Sequence, residues 1–440
     1  MYRDRKGLVA ALFAAVAIVC VAPAPTLRAQ KPGQPSAAAA GVPTFTVDAT
    51  WPKEMPNKWI LGAVTGVFVD AGNHVWVTHL PETLTEEETA AVQKPPIGTC
   101  CAPAPAVIEF DAQGNVVQGW GEPTQDISVY PRNPHGIFVD HNNFVWIGTY
   151  MHHRVMKFTR DGKHVLTIGE YDKTNGSNDP ALLGGPAGIW VDPKTNEVFI
   201  ADGYRNRRVV VYDGTTGKYL RHWGAYGEPP VDKYDFGDRN PDGPPPRQFS
   251  TVHGITGSRD GLIYVADRRG NRIQVFDQGG KFLKERIIAP RTLASGSAFV
   301  PVLSPDEQWL YVADGTNHKV WTLRRSDLEI VGEFGRGGRQ LGQMLRPHGM
   351  SVDSGGNLYV GEASTGRRVQ RFVVSAPRRA RRSPDRDLPG VRTGSERGLT
   401  PFCPPLCQSS AIQRTFRQRS PISAVARRSP ISDRWGDHGT

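Results

Sequence analysis

Three histidines share a local setting. They occur in Pro134-His135-Gly136-Ile137, Val252-His253-Gly254-Ile255 and Pro347-His348-Gly349-Met350, each opening an apolar segment and each followed by glycine. Three neutral imidazoles with a fourth position left open are a common way to hold a catalytic zinc ion. A glycine after each one lets the backbones approach closely. Tyr204 follows Ala201-Asp202-Gly203, and Arg268 follows Val265-Ala266-Asp267, so the two occupy related positions in neighbouring segments. A tyrosine beside a metal can give or take a proton. An arginine there can neutralise a carboxylate. The plainer reading makes the histidines polar residues at strand starts, and Tyr204 and Arg268 loop-packing side chains. His152-His153 is a weaker metal candidate, because adjacent residues rarely converge on one ion.

A repeat must position these residues. One unit reads Pro134 to Asp140, Phe144 to Ile147, Arg154 to Phe158 and Asp161-Gly162-Lys163. The next reads Ala187 to Asp192, Val198 to Asp202 and Arg208 to Asp213. Further copies begin at His253, before Trp309 and at His348, and an interrupted one begins at Thr65 and resumes at Val107. That makes six units of three or four short strands, rich in β-branched and aromatic residues and separated by Asp-Gly or Gly-Asn turns. A single small sheet cannot bury both faces. Radial packing around an axis solves this, so the expected fold is an all-β, six-bladed β-propeller. The last unit stops after its third strand at Phe372, and Phe45-Thr46-Val47 can supply its missing outer strand. The inner-strand slot holds His135, His253 and His348 in units 2, 4 and 6. It holds Thr65, Ala187 and Phe299 or Val300 in units 1, 3 and 5. Alternate blades therefore aim three imidazoles at the axis. Antiparallel order puts Tyr204, Arg268, His152-His153 and two insertions, Pro81 to Ala106 and Tyr226 to Phe249, on the same face. Long loops in a compact domain are often lids or specificity elements.

The pattern resembles NHL repeats over residues 44 to 374. The spacing of His135, His253 and His348, with Asp202-Gly203-Tyr204 and Asp267-Arg268, is similar to that of peptidyl-α-hydroxyglycine α-amidating lyase. That family is a six-bladed propeller that uses three zinc-bound histidines, a tyrosine and arginines to cleave an N-acyl-α-hydroxyglycine into an amide and glyoxylate. The resemblance implies that His135, His253 and His348 are the zinc ligands, Tyr204 the catalytic tyrosine and Arg268 a site arginine. Three positions depart from it. Leu80 follows His79 where the family has an essential arginine. Gly349 stands where an acidic side chain serves a structural calcium, which makes calcium doubtful. Arg205 replaces a cysteine found in animal members.

The remainder of the chain sets the context. Arg3, Arg5 and Lys6 precede the 16-residue apolar run Gly7 to Ala22, and Leu27-Arg28-Ala29 offers a cleavage site. Residues 1–29 read as a signal peptide, 30–43 as a linker, 44–375 as the propeller and 376–440 as a disordered tail. The run is short for a spanning helix, so no stable membrane anchor is expected, and the protein is expected to be secreted or periplasmic. The net charge of +10 is concentrated in the tail, which has 13 Arg, no Lys and 5 Asp or Glu. Its change in composition is that of a solvated tail or of a shifted reading frame. The near-neutral body argues against nucleic acid as a partner. Cys100-Cys101 reads equally as a vicinal ring or as two thiols, and with Cys403 and Cys407 falls short of a disulfide scaffold. Two functions are carried forward. One is a zinc-dependent lyase-like enzyme with a small-molecule or peptide substrate. The other is a non-catalytic propeller that binds a protein, peptide or glycan.

Overall fold

The computed structural model describes residues 41–375 apart from 123–125, 127, 238 and 239. The signal at 1–29, most of the linker at 30–43 and the tail at 376–440 lie outside the described residues, with Cys403 and Cys407. Six four-stranded antiparallel sheets form the blades of a β-propeller. From the axis outward, blade 1 comprises Ala63–Val69, Val75–Leu80, Val107–Phe110 and Val116–Trp120. Blade 2 comprises Pro134–Val139, Val145–Thr149, Arg154–Phe158 and His164–Ile168. Blade 3 comprises Pro186–Val191, Glu197–Asp202, Arg208–Asp213 and Tyr219–Trp223. Blade 4 comprises Val252–Gly257, Leu262–Asp267, Arg272–Asp277 and Phe282–Ile287. Blade 5 comprises Val300–Leu303, Trp309–Asp314, Lys319–Arg324 and Ile330–Phe334. Blade 6 takes Pro347–Val352, Leu358–Glu362 and Arg368–Ser375 from the end of the ring, and Thr44–Val47 from its start. That pairing runs from Thr44 opposite Ser375 to Val47 opposite Phe372 and closes the circle. Phe45 secures the closing strand by packing edge-on to Tyr311 at 5.4 Å and against Phe334 at 4.6 Å.

The apolar residues of the middle strands meet across the blade boundaries. Trp190, Phe199, Phe249 and Phe276 fill the space between blades 3 and 4, and Trp51, Phe110 and Tyr359 fill that between blades 6 and 1. Each fully buried aromatic ring contributes about 1.5–3 kcal/mol over an exposed one. Charged residues of the repeat act at the two ends of the blades. On the face away from the histidines, the Asp70 carboxylate accepts the Gly72 and His74 amides, each at 2.9 Å, and Trp76 Nε1 at 3.1 Å. Asp140 does the same for Asn142, Phe144 and Trp146. These Asx-type turns fix tight hairpins.

The opposite end is held by buried clips between an acid closing the second strand and an arginine opening the third. Asp267 accepts the Ser250 and Thr251 amides at 2.9 Å and Arg272 Nε at 3.0 Å. Arg272 in turn donates to the Gln248 carbonyl. Asp202–Arg208 and Glu362–Arg368 repeat the arrangement, accepting the Gly184 and Leu345 amides. Each clip grips the loop that enters its own blade's inner strand, directly before Ala187, His253 or His348. The acid that ends the second strand and the Arg-Val/Ile pair that opens the third thus position the inner-strand slot in blades 3, 4 and 6.

Cys100 and Cys101 are joined as a vicinal disulfide in the blade 1 insertion. That insertion also contributes Ala102–Pro103, which pairs in parallel with Trp59–Ile60. Among the described residues, no helix is long and apolar enough to cross a membrane.

Candidate metal centre

His135, His253 and His348 converge. Their ring centroids are 4.7, 4.7 and 4.9 Å apart, and one nitrogen from each lies within 4.8 Å of the others. All three are buried. The blades between them supply the second layer of contacts. His253 Nδ1 donates to the Phe299 carbonyl and His348 Nδ1 to the Thr65 carbonyl, both at 2.9 Å. His135 Nδ1 is turned toward the Ala187 carbonyl without reaching full hydrogen-bond geometry. Thr65, Ala187 and Phe299 are the slot residues of the blades without histidine, so alternate blades give an imidazole and a carbonyl. Such outer contacts fix the tautomer and orientation of metal-binding histidines. Phe299, rather than Val300, occupies the slot in blade 5.

The glycine after each histidine is required by this crowding. A Cβ on Gly136 would overlap the Ala187 carbonyl oxygen, and one on Gly254 would come 2.5 Å from that of Phe299. A Cβ on Gly349 would meet the Val67 amide nitrogen at 2.7 Å, so an acidic side chain does not fit there without moving the backbone.

The donor set fits a cation. A carbonyl only accepts, so Nδ1 carries the proton in His253 and His348, and both Nε2 atoms present lone pairs. Those two nitrogens face each other at 3.2 Å with no hydrogen left to bridge them. A shared positive ion relieves that contact. Burial, reinforced by the Arg268 charge, holds the imidazolium form of His253 well below its usual range and brings His135 down to about 3. His348 is lowered by burial and by His135. The neutral form is the one that ligates. Behind the triad the channel narrows to a cavity of about 110 Å³ lined by Phe68, Phe138, Trp190, Val302 and Met350, so the polar approach is from the loop face.

Tyr204 and Arg268 stand at that approach. The Tyr204 hydroxyl lies 2.9 Å from His135 Nε2 and accepts from Arg268 Nη1 at 3.2 Å. The guanidinium lies 5.2 Å from the ring centres of both Tyr204 and Phe299, and its Nε is buried without a partner. Both residues also line a cleft of about 1330 Å³ under the 226–249 insertion. His152 belongs elsewhere: its nitrogens engage Asp172 at 2.7 Å and Asn133 at 3.0 Å, and its ring stacks on Tyr171. His79 is buried off the axis, taking the Gly62 amide on Nδ1 and facing the Pro105 carbonyl with Nε2. Leu80 is buried beside it and brings no charge to the site.

Two residues at the site were not singled out by spacing. Tyr150 lies 5.3 Å from His135 and 4.8 Å from Tyr204, ring to ring, and burial pushes its phenol up to about 12. It occupies in blade 2 the loop that Tyr204 occupies in blade 3, which is the signal that could have found it. Arg346, two residues before His348, lies 5.7 Å from the Phe299 ring centre.

The chain is similar to several known proteins. The NHL repeat model matches residues 249–276. The chain is 26% identical over 350 residues to peptidyl-alpha-hydroxyglycine alpha-amidating lyase 1 of Drosophila melanogaster, covering 75% of this chain and 60% of that protein. It is 26% identical over 346 residues to NHL repeat-containing protein 3 of Mus musculus, covering 75% of this chain and 84% of the other. It is 28% identical over 239 residues to peptidyl-glycine alpha-amidating monooxygenase B of Xenopus laevis, covering 52% of this chain but a quarter (25%) of that protein. With its histidine triad in place, the chain is an NHL-repeat six-bladed propeller distantly related to the amidating lyases and to NHL repeat-containing protein 3.

Proposed function

We propose that this propeller is an extracytoplasmic, zinc-dependent lyase acting on a small α-hydroxy acid derivative of the N-acyl-α-hydroxyglycine type. The observation that carries the reading is the Tyr204 hydroxyl held between His135 Nε2 and Arg268 Nη1 at the open side of three buried imidazoles. An all-nitrogen donor set with one free position suits zinc. Zinc, when bound, supplies a Lewis acid that lowers the pKa of a hydroxyl and polarises an oxygen. Tyr204 then takes the proton of the substrate hydroxyl, Arg268 stabilising its phenolate. The carbinol C–N bond breaks as the carbonyl forms, and the departing amide nitrogen recovers a proton from the Tyr204 hydroxyl. The products are an amide and glyoxylate, so atoms balance without a co-reactant. The basic start and apolar run before residue 23 support export.

The full chain, loaded with zinc and given an N-acyl-α-hydroxyglycine, should release glyoxylate. Tyr204→Phe should remove most of the turnover while retaining the metal. A zinc-loaded chain that releases none sinks the reading. Leu80 favours the second function, a binding propeller for a protein, peptide or glycan, because one charge of the lyase pattern is absent. That function stands if the inert, zinc-loaded chain captures such a partner.

A further inference from the structure

Arg346 sits where the loop from blade 5 enters blade 6. Its backbone is left-handed, with φ of 52°, a conformation uncommon outside glycine and asparagine. Two contacts hold it there. Its amide donates to His318 Nδ1 at 3.0 Å, and its carbonyl accepts the Ala363 amide at 3.0 Å. An unfavourable conformation held from both sides is a reason to look for function. Here it sends the side chain toward the axis. The guanidinium lies 5.7 Å from the centre of the Phe299 ring, and Nη2 donates to Ser295 Oγ at 3.1 Å. Arg268 reaches the same ring from blade 4, at 5.2 Å. Phe299 is fully buried, and its ring centre is 5.3 Å from that of His253 and 5.8 Å from that of His348. Two guanidinium groups therefore contact one ring that abuts two of the three imidazoles. No carboxylate among the described residues pairs with Arg268, and its buried Nε is an open donor.

We infer that Arg268 and Arg346 form a carboxylate clamp around Phe299, with Arg346 supplying from blade 6 the second cation that Leu80 does not supply from blade 1. The clamp rests on the reading of the triad as the reaction centre and assigns a second residue to the substrate carboxylate. The ligand must carry a carboxylate on, or next to, the carbon that bears the metal-directed oxygen. A carboxylate reached by both guanidinium groups gains attraction from each of them. Planar guanidinium groups also match the two oxygens of a carboxylate.

Oxamate and oxamide have the same shape and differ in charge, so they test the clamp without turnover. Calorimetric titration of the zinc-loaded full chain should show oxamate binding at least about tenfold more tightly than oxamide, the scale of a charge-assisted hydrogen bond. Arg346→Gln should weaken oxamate roughly 10- to 100-fold, leave oxamide unchanged and keep zinc content and melting temperature. Arg346→Lys should recover part of the preference, and Ser295→Ala, which loosens the guanidinium but keeps its charge, should lower it a few-fold. Unchanged oxamate affinity in Arg346→Gln, or an equal loss for both ligands, overturns the clamp. If Arg346→Gln does not fold, an unchanged preference in Ser295→Ala overturns it instead. A chain that fails to release glyoxylate yet discriminates oxamate through Arg346 loses the lyase reaction and keeps the clamp. The reverse result does the opposite.

Discussion

Blades 2, 4 and 6 and blades 1, 3 and 5 are built from one repeat but treat the axis differently. The first set presents imidazoles, and the second presents the backbone carbonyls of Thr65, Ala187 and Phe299 behind them. A sixfold scaffold is thus turned into a centre with threefold order by changing one residue in every second repeat. The carbonyl needs no particular side chain, so Thr, Ala and Phe all serve. The constraint falls on the imidazole-bearing blades and on the glycines that let neighbouring inner strands touch.

The sharpest way to break this contrast is to remove one imidazole. His253→Ala should take the purified chain from about one zinc per molecule to almost none by elemental analysis, because three protein ligands are the usual minimum for a retained catalytic ion. Removing the Phe299 side chain should spare the metal, since its carbonyl is what orients His253. Retention of zinc in His253→Ala would mean that the triad is not the binding centre.

A second test uses a buried histidine of an odd-numbered blade. His79 is fully buried and neutral, and burial lowers its pKa from 6.5 to about 4, with the Pro105 carbonyl opposing. Protonation is therefore easier in the unfolded chain. The stability this histidine confers is complete above pH 6.5 and is lost as pH falls toward 4, by roughly 3 kcal/mol over the window. Denaturant unfolding between pH 4 and 7 should show that slope added to the one from the three axial histidines, and His79→Gln should make it shallower. Equal slopes in the two proteins would mean that His79 titrates alike folded and unfolded.

Glycine substitutions give a finer comparison. Gly136→Ala pushes a methyl into the Ala187 carbonyl and should cost about 2–3 kcal/mol, whereas Gly188→Ala, 3.0 Å from the His253 carbonyl, should cost about 1 kcal/mol. Thermal melts of the two variants check the ranking. Least of all, Tyr150→Phe, which keeps the ring against His135 and Tyr204 and removes the hydroxyl alone, should lower kcat/KM by no more than about fivefold without changing zinc content.

The architecture was legible because each unit carries its own turns and strands, three of the six carry the acid–arginine clip, and local rules read local features well. The triad was legible too, since the repeat gives every inner-strand slot the same address, and His135, His253 and His348 share it. Tyr150 and Arg346 were not. Tyr150 depends on how one loop leans toward its neighbour, and Arg346 on a left-handed turn beside His318. The repeat register points to the loop that holds Tyr150 but not to its lean, and no period or spacing marks Arg346. The vicinal disulfide was undecided for a similar reason, because adjacent cysteines read alike whether bonded or free. The carbonyls behind the histidines were invisible for another reason, since any residue provides one.

The strand Thr44–Val47 belongs to the last blade, so the earliest-made part of the barrel must wait for its partner at Arg368–Ser375, more than three hundred residues later. Until that seam is sewn, blade 6 lacks its rim and His348 has no fixed station beside His253. Capture of an ion by the triad would thereby require the circle to be complete. A chain cut short before residue 368 would keep all three imidazoles but on an open ring, and should betray itself by its indifference to zinc.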